Sequence, residues 1–335
     1  MQAWQYSSIK DTLENSLVLN ENATPPDASS LPNDHVLIEV ISAGVNPVDY
    51  KLPEIPVFGK FMIQPPASPG FDFCGRMRAT HPDSALSEGQ LVFGALSIGS
   101  KFPKFGSFSQ LIIAPSSHIT SLPMGVDPDD AAAVGTAGLT AFQSLPLDLI
   151  KTGTRVFING GSGGVGSFTV QFAKAAGAHV TTTCSTANVS LCTSLGADEV
   201  IDYRQVDILG ELKKKGQVFD VAIDNVGTPC DLFEQSPHFL KPAGSFVQVA
   251  MPKSVATMLR RSVLPGFLGG RRRPYQTVKV KVNREDLEQI GRWIVEGKVR
   301  AVIDEKFEWK DAPKAYAKLR LGRTTGKIVV HVGLK

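Results

Sequence analysis

The apolar and polar positions change rhythm along this chain. Up to about residue 120 the apolar residues come in short pieces: Val36-Leu37-Ile38-Glu39-Val40-Ile41, Gln90-Leu91-Val92-Phe93-Gly94 and Phe108-Ser109-Gln110-Leu111-Ile112-Ile113. Among them stand Pro53, Pro56, Pro65, Pro66, Pro69, Gly70 and Gly75, residues that turn a chain. Short strands broken by turns predict a β-rich, irregular domain. Near Leu122-Pro123 the texture shifts. Asp127-Pro128-Asp129-Asp130 opens an alanine-rich stretch that reads as a helix with acid in its first turn. From Thr152 strand and helix alternate. The predicted strands are Arg155–Asn159, His179–Thr183, Glu199–Asp202, Phe219–Asp224, Ser245–Ala250 and Thr277–Val282. Between the first two, Ser167–Ala176 reads as a helix ended by Gly177. Six strands with intervening helices predict an α/β, doubly wound parallel sheet. Asn283 then reads as the cap of a helix starting at Arg284. The last strand, Gly326–Val330, does not fit the six-stranded sheet and returns to the first domain. The α/β domain, 124–283, is therefore an insertion in a β-rich domain of residues 1–123 and 284–335.

Composition narrows this only modestly. The length of 335 residues suits two domains at about 150 residues each. With 42% hydrophobic and 20% charged residues the chain is globular in composition. A net charge of +3 is too small a bias to argue for nucleic acid, and no nucleic-acid partner is expected. No apolar run approaches the ~18 residues of a membrane span, and Met1–Lys10 lacks the apolar core of a signal peptide. The cysteines, Cys74, Cys184, Cys192 and Cys230, form no C-x-x-C pair, and no two histidines stand at i, i+4. That spacing argues against a zinc knuckle or disulfide framework and for a reducing, cytoplasmic setting.

Chemistry first appears in Phe157-Ile158-Asn159-Gly160-Gly161-Ser162-Gly163-Gly164-Val165-Gly166. Gly161, Gly163 and Gly166 satisfy G-x-G-x-x-G, after a predicted strand and opening a predicted helix. Gly161 permits the tight turn, Gly163 lets backbone approach a pyrophosphate, and Gly166 lets helix and strand pack closely. Ser162, Gly164 and Val165 complete the turn, whose free N–H groups face an anion. The plainer reading is a glycine-rich turn and nothing more. An NAD site carries an acid about 20 residues after the first glycine. Here Thr182, Thr183, Cys184 and Ser185 stand instead, and none is acidic. A carboxylate would repel a 2′-phosphate, so its absence, with Ser185 and Asn188 as donors, favours NADP(H).

These residues, with Val170–Ala178 and Leu195–Tyr203, resemble the medium-chain dehydrogenase/reductases. Gly44-Val45-Asn46-Pro47-Val48-Asp49-Tyr50-Lys51 is similar to the G-V-N-P-x-D-x-K of their quinone-oxidoreductase branch. Pro69–Gly75, Thr136–Phe142 and Thr324–Val329 resemble further segments of that family, in order along nearly the whole chain. The resemblance implies a GroES-like catalytic domain, an inserted Rossmann domain, an active site in the cleft between them, and NADPH. By matching position it places Tyr203 near the adenosine phosphate, and Asn225 and Thr140 near the nicotinamide. Zinc alcohol dehydrogenases of the superfamily have Cys where Asn46 stands and His where Phe71 stands. Phenylalanine cannot ligate a metal and an amide is a poor substitute for thiolate, so no zinc is expected.

The expected lack of metal bears on reaction class. Hydride addition to a simple ketone leaves a localised alkoxide that zinc normally stabilises. An enone or quinone spreads the charge itself and needs only a few donors at one oxygen. The expected substrate is therefore an activated C=C bond, as in an enone or enoyl group, or a quinone. The candidate donors are Asn46, Tyr50 and Lys51, with Lys51 as a cation and Tyr50 as proton donor. The plainer readings are a packed Tyr50 and a solvated Lys51. A protein that keeps the nucleotide site without turnover, or a redox-neutral enzyme, stands as the rival class. Met258–Pro274, with five arginines among apolar residues, is the segment least like the family. It suits a substrate lid, a peripheral membrane contact, a carrier-protein contact as in trans-acting enoyl reductases, or a solvated loop. The alternation Val278, Val280, Val282 with Lys279 and Lys281 suits an edge strand that either pairs with a second copy or is guarded by its lysines, leaving monomer and homodimer both open.

Overall fold

The computed structural model describes residues 1–55, 61–80, 86–97, 102–251, 254–264 and 272–333. The chain divides into two compact units, Met1–Leu139 with Lys281–Lys335, and Thr140–Val280.

The first unit is built on β3 (His35–Val45), a long strand whose residues are mostly buried. It follows a small pair, β1 (Ala3–Gln5) and β2 (Val18–Asn20). Antiparallel partners of β3 are β4 (Asp72–Thr80) and β6 (Leu111–Pro115). Next to β4 lie β5 (Leu91–Ala95) and then β7 (Ile119–Ser121). The core under the sheet holds Phe73, Phe108, Ile38 and Tyr316, all fully buried. Phe108 packs on Tyr316 with ring centroids 4.9 Å apart. Each such side chain contributes roughly 1.5–3 kcal/mol by leaving water.

The second unit holds the parallel sheet that the sequence predicts. Its strands are β8 (Arg155–Asn159), β9 (His179–Cys184), β10 (Glu199–Asp202), β11 (Phe219–Asp224), β12 (Leu240–Gln248) and β13 (Tyr275–Thr277). Their order is β10-β9-β8-β11-β12-β13, with every pair parallel. The chain reverses its direction of travel across the sheet after β10, so β8 and β11 flank the switch point. Phe157, Phe219, Phe239 and Phe246 belong to its core. Parallel strands are ordinarily covered on both faces, in keeping with the fully buried run Val156-Phe157-Ile158 of β8.

Two strand expectations are corrected. The fifth strand begins at Leu240, not Ser245, because Lys241-Pro242-Ala243-Gly244, a turn signal by composition, is absorbed as an irregularity between Phe219↔Leu240 and Val221↔Ser245. It also stops at Gln248, since Val249 and Ala250 turn back to donate to the Asp224 carbonyl. The sixth strand is Tyr275–Thr277, and residues 278–283 have no regular structure. Its partner β12 ends opposite Thr277, so after Val278 N donates to Gln248 O the alternating valines have run past the end of that strand.

After the sheet the chain returns to the first unit. Asn283 caps the helix Arg284–Val295, its side chain accepting from Asp286 N at 2.8 Å. Then come β14 (Ile303–Glu308), the helix Ala312–Arg320 and β15 (Lys327–His331). β15 pairs antiparallel with the carboxyl end of β3, Ile328 opposite Val45.

Candidate functional site

The glycine turn follows β8. Gly160 takes φ +84°, and the helix Gly164–Ala175 starts with Gly163 as its cap. The three motif glycines have different surroundings. A Cβ on Gly161 would lie 2.2 Å from Thr182 Oγ1, and one on Gly166 would lie 1.9 Å from Gly160 O. Both are required by the protein's own packing. A Cβ on Gly163 would meet only Gly160 O, at 3.9 Å, so no other described atom crowds that space. A residue free of internal constraint at the mouth of a helix is the arrangement a close-approaching anion needs. Ser162, Gly164 and Val165 are partly exposed around it. The first turn carries no acidic residue to occupy its N–H groups.

Thr183 fixes the turn from β9: its Oγ1 accepts from Gly160 N at 2.8 Å and its carbonyl from Gly161 N at 2.9 Å. Asn188 Nδ2 donates to Ser162 Oγ at 3.1 Å, which brings the second-strand candidates onto the turn. Ser185 starts the short helical turn Thr186–Asn188 at the end of β9. Tyr203 N donates to Cys184 O at 3.1 Å, so Tyr203, about half exposed, stands beside Ser185. The Arg204 guanidinium lies 5.8 Å from the Tyr203 ring centre. The nearby acid, Asp202, is turned onto its own surroundings, accepting from Thr186 Oγ1 and Arg204 N. Lys174 points elsewhere, paired with Asp198 at 2.9 Å.

Beyond β11, Asn225 has both side-chain amide atoms buried and without a hydrogen-bond partner among the described residues. Thr140 opens this unit on the helix Gly135–Ser144 and is buried. All cofactor candidates thus belong to the second unit. The open space at Gly163 and the orphaned Asn225 amide at the carboxyl edge of the sheet fit a nicotinamide dinucleotide.

Asn46, Tyr50 and Lys51 belong to the first unit. Asn46 follows β3 and starts the five-residue helix Pro47–Lys51, with its N–H donating to Asp49 Oδ2 at 2.8 Å. Its side chain is buried between opposite charges. Nδ2 donates to Asp72 Oδ2 at 2.8 Å, and Oδ1 accepts from the Lys327 ammonium. Lys327 also donates to Val45 O at 2.9 Å and lies 3.5 Å from Asp72 Oδ2. The other Asp72 oxygen accepts from Thr136 N and Oγ1 at 2.7 and 2.6 Å. Burial pulls the Lys327 ammonium below the usual lysine range and pushes the Asp49 carboxyl well above the usual aspartate range.

Tyr50 is 7% exposed and packs in the core. The Arg320 guanidinium lies 4.2 Å from its ring centre and is forked by Glu14 and Glu54. Burial raises the Tyr50 phenol. Lys51, at the end of the same turn, is exposed. Cys74 is fully buried, and burial pushes its thiol up to about 12, the behaviour of a packing residue.

The residues at the zinc position do not fit zinc. A lysine ammonium already rests on Asn46 Oδ1, where it repels a second cation, and Phe71 is buried against Phe102 with no lone pair to offer. The Asn46 clamp and the Thr183 brace were missed by sequence reasoning. Lys327 lies in a segment singled out by resemblance, but nothing local assigns its partner.

Of Met258–Pro274, residues 265–271 lie outside the described residues. The helix Val255–Val263 covers its start. Arg260 and Arg261 bind Glu234, and Arg273 donates to the Leu240 and Pro237 carbonyls. Among the described residues no helix is long and apolar enough to cross a membrane.

Residues 32–124 match the family described as alcohol dehydrogenase GroES-like domain, and residues 195–330 that described as zinc-binding dehydrogenase. The chain is 47% identical over 346 residues to a trans-enoyl reductase of Aspergillus terreus, spanning 99% of this chain and 96% of the relative. It is 31% identical over 341 residues to a 2-methylene-furan-3-one reductase of Solanum lycopersicum, spanning 99% and 79%. Among solved structures, a quinone oxidoreductase from Coxiella burnetii superposes with a TM-score of 0.84 at 29% identity, over 99% of each chain.

Proposed function

The chain belongs to the medium-chain dehydrogenase/reductase superfamily, in its quinone oxidoreductase and enoyl reductase branch, and from that premise we propose that it reduces an activated C=C bond with NADPH. It is an oxidoreductase that uses a nicotinamide cofactor. The observation that carries the substrate class is the Lys327–Asn46–Asp72 clamp. The position of a metal-binding thiolate holds an amide whose oxygen is taken by a cation and whose nitrogen donates to an anion. Without a Lewis acid from these residues, the substrate must delocalise the charge that hydride addition creates. The similarity to a trans-enoyl reductase favours an enoyl or enone acceptor over a quinone.

NADPH is favoured over NADH by Ser185, Asn188, Tyr203 and Arg204 at the end of β9, where the one nearby carboxylate among the described residues, Asp202, is engaged by Thr186 and Arg204. When bound, the cofactor supplies the hydride. Ser162, Gly163, Gly164 and Val165 would hold its pyrophosphate with backbone N–H groups, on a turn that Gly161 and Gly166 shape; Asn225 and Thr140 would contact its nicotinamide half, and Ser185, Asn188 and Tyr203 would hold the adenosine phosphate. Lys51, exposed and cationic, stabilises the enolate oxygen as charge develops. Asn46 keeps one N–H beyond its bond to Asp72 and orients the turn. Tyr50, buried under Arg320, supports that turn rather than supplying a proton. A cytoplasmic setting suits the free cysteines.

The test is NADPH oxidation with a panel of enones, enoyl thioesters, quinones and saturated ketones, using wild-type and Lys51→Ala protein. We expect turnover on conjugated acceptors only, and a 10²–10³-fold fall in kcat for Lys51→Ala with NADPH affinity nearly unchanged, as for loss of one oxyanion donor (~10²–10³). NADPH that binds and is not oxidised by any acceptor overturns the reading in favour of a scaffold protein.

A further inference from the structure

The second unit carries a polar network that the cofactor contacts do not explain. It begins at the glycine turn, where Gly160 N donates to Thr183 Oγ1, which in turn donates to Asn159 Oδ1 at 2.7 Å. Asn159 Nδ2 donates to Asp224 Oδ1 at 2.8 Å and to Thr228 O at 2.9 Å. The same Asp224 oxygen accepts from Val226 N at 3.1 Å and Gly227 N at 2.9 Å. Its other oxygen accepts from Gln248 Nε2 at 2.8 Å. Gln248 Oε1 then accepts from Arg261 Nη1 at 3.2 Å. Asp224 and Gln248 are buried, and Arg261 is 6% exposed.

Each amide in this chain can face only one way. Gln248 must present oxygen to the guanidinium and nitrogen to the carboxylate; a flip would oppose like partners at both ends. Arg261 is fixed in turn by both oxygens of Glu234, at 3.1 and 2.7 Å, and by Cys230 O at 2.8 Å. Its guanidinium lies 5.4 Å from the Phe233 ring centre. A buried carboxylate is thus linked to a buried cation through a polarised amide, and charge-assisted bonds of this kind are the strong and directional ones. What the carboxylate holds is the turn Asn225–Thr228, through two backbone N–H groups and, by way of Asn159, the Thr228 carbonyl. That turn carries the orphaned Asn225 amide at the edge of the switch point.

We propose that Arg261 is a positioning residue: acting through Gln248 and Asp224, it sets the Asn225–Thr228 turn so that the Asn225 amide meets the nicotinamide half of the cofactor. The proposal deepens the functional reading and rests on it. The helix Val255–Val263 is thereby clasped to the cofactor site by one buried guanidinium, and part of an arginine-rich segment that reads as solvated or partner-seeking is spent inside its own unit.

The experiment measures binding of NADPH, and of 2′,5′-ADP as the adenosine half alone, to wild type, Arg261→Met, Gln248→Met and the double variant. Gln248→Met keeps the size of the side chain and leaves the Arg261–Glu234 pair intact, so it reports even where Arg261→Met fails to fold. We expect each single variant to bind NADPH about tenfold more weakly, the effect of losing one bond to a charged group, with 2′,5′-ADP within twofold. Links in series predict that the double variant is no worse than either single one. NADPH affinity within twofold of wild type in Gln248→Met overturns the proposal. So does equal weakening of both ligands, which signals general loosening. Wild-type protein that binds neither NADPH nor NADH overturns the functional reading, and the proposal with it.

Discussion

Two helix starts in this protein answer the same physical problem in opposite ways. Gly164–Ala175 opens with a glycine cap, no capping side chain and no acid in its first turn, and the space over Gly163 is free of described atoms other than Gly160 O. Pro47–Lys51 opens with Asn46, whose N–H is taken by Asp49, and whose side chain is drawn into a buried cluster with Asp72 and Lys327. The first leaves its donors for a ligand. The second satisfies them internally and becomes a rigid base that presents Lys51. An unfilled helix terminus is a receptor; a filled one is a mount.

The largest effect should come from breaking the mount. Lys327→Met removes the ammonium and leaves Asp72 charged and buried, which costs roughly 3–5 kcal/mol for a broken buried pair. Chemical denaturation would read this as a lower midpoint with an unchanged slope. A loss under about 1 kcal/mol, the scale of an exposed pair, would show that the ammonium does not hold this cluster together.

The receptor is sharpened by two glycines with opposite expected outcomes. Gly163→Asp should leave the melting temperature close to wild type, since its Cβ meets only Gly160 O at 3.9 Å. It should weaken NADPH binding by about a hundredfold, because a carboxylate at the phosphate costs on the order of 3 kcal/mol in a partly screened site. Gly166→Ala should do the reverse in kind. A Cβ at 1.9 Å from Gly160 O must push the helix off the strand, at about 1–3 kcal/mol of stability. Calorimetry and fluorescence titration of the pair decide the matter; equal behaviour of the two variants would refute the division of roles.

The smallest effect concerns pH. Burial raises the Asp49 carboxyl in the folded state, so folding favours its protonated form. Its contribution to stability is complete below the unfolded value of about 3.9 and declines as pH rises toward the folded value, by up to about 1.4 kcal/mol per pH unit. Asp49→Asn, which keeps an acceptor for Asn46 N, should flatten that decline. Parallel stability–pH curves for the two proteins would show that Asp49 is ionised throughout.

The receptor is legible in the sequence and the mount is not. G-x-G-x-x-G after an apolar strand dictates a turn and a helix start from neighbouring residues alone, and four strands of the second unit lie close to where the sequence places them. Misreadings arise where the signal depends on a partner strand. The turn composition of Lys241–Gly244 cannot be judged locally, because the strand around it is held by β11, and the valines after Thr277 lack a neighbour that has already ended. Tyr50 reads as a proton donor and Lys51 as a cation, yet Arg320, far along the chain, covers the first, while the second stays exposed.

Sequence alone determined the architecture, the glycine turn and the lack of an acid at the end of the second strand, because backbone conformation and side-chain chemistry at these places are set by adjacent residues. Tertiary structure decided which polar groups are consumed and which are left over. Lys327 reaches Asn46 across 281 positions, and Arg261 reaches Gln248 across 13. Buried polar groups must find partners, but the identity of the partner is fixed only when distant segments pack together.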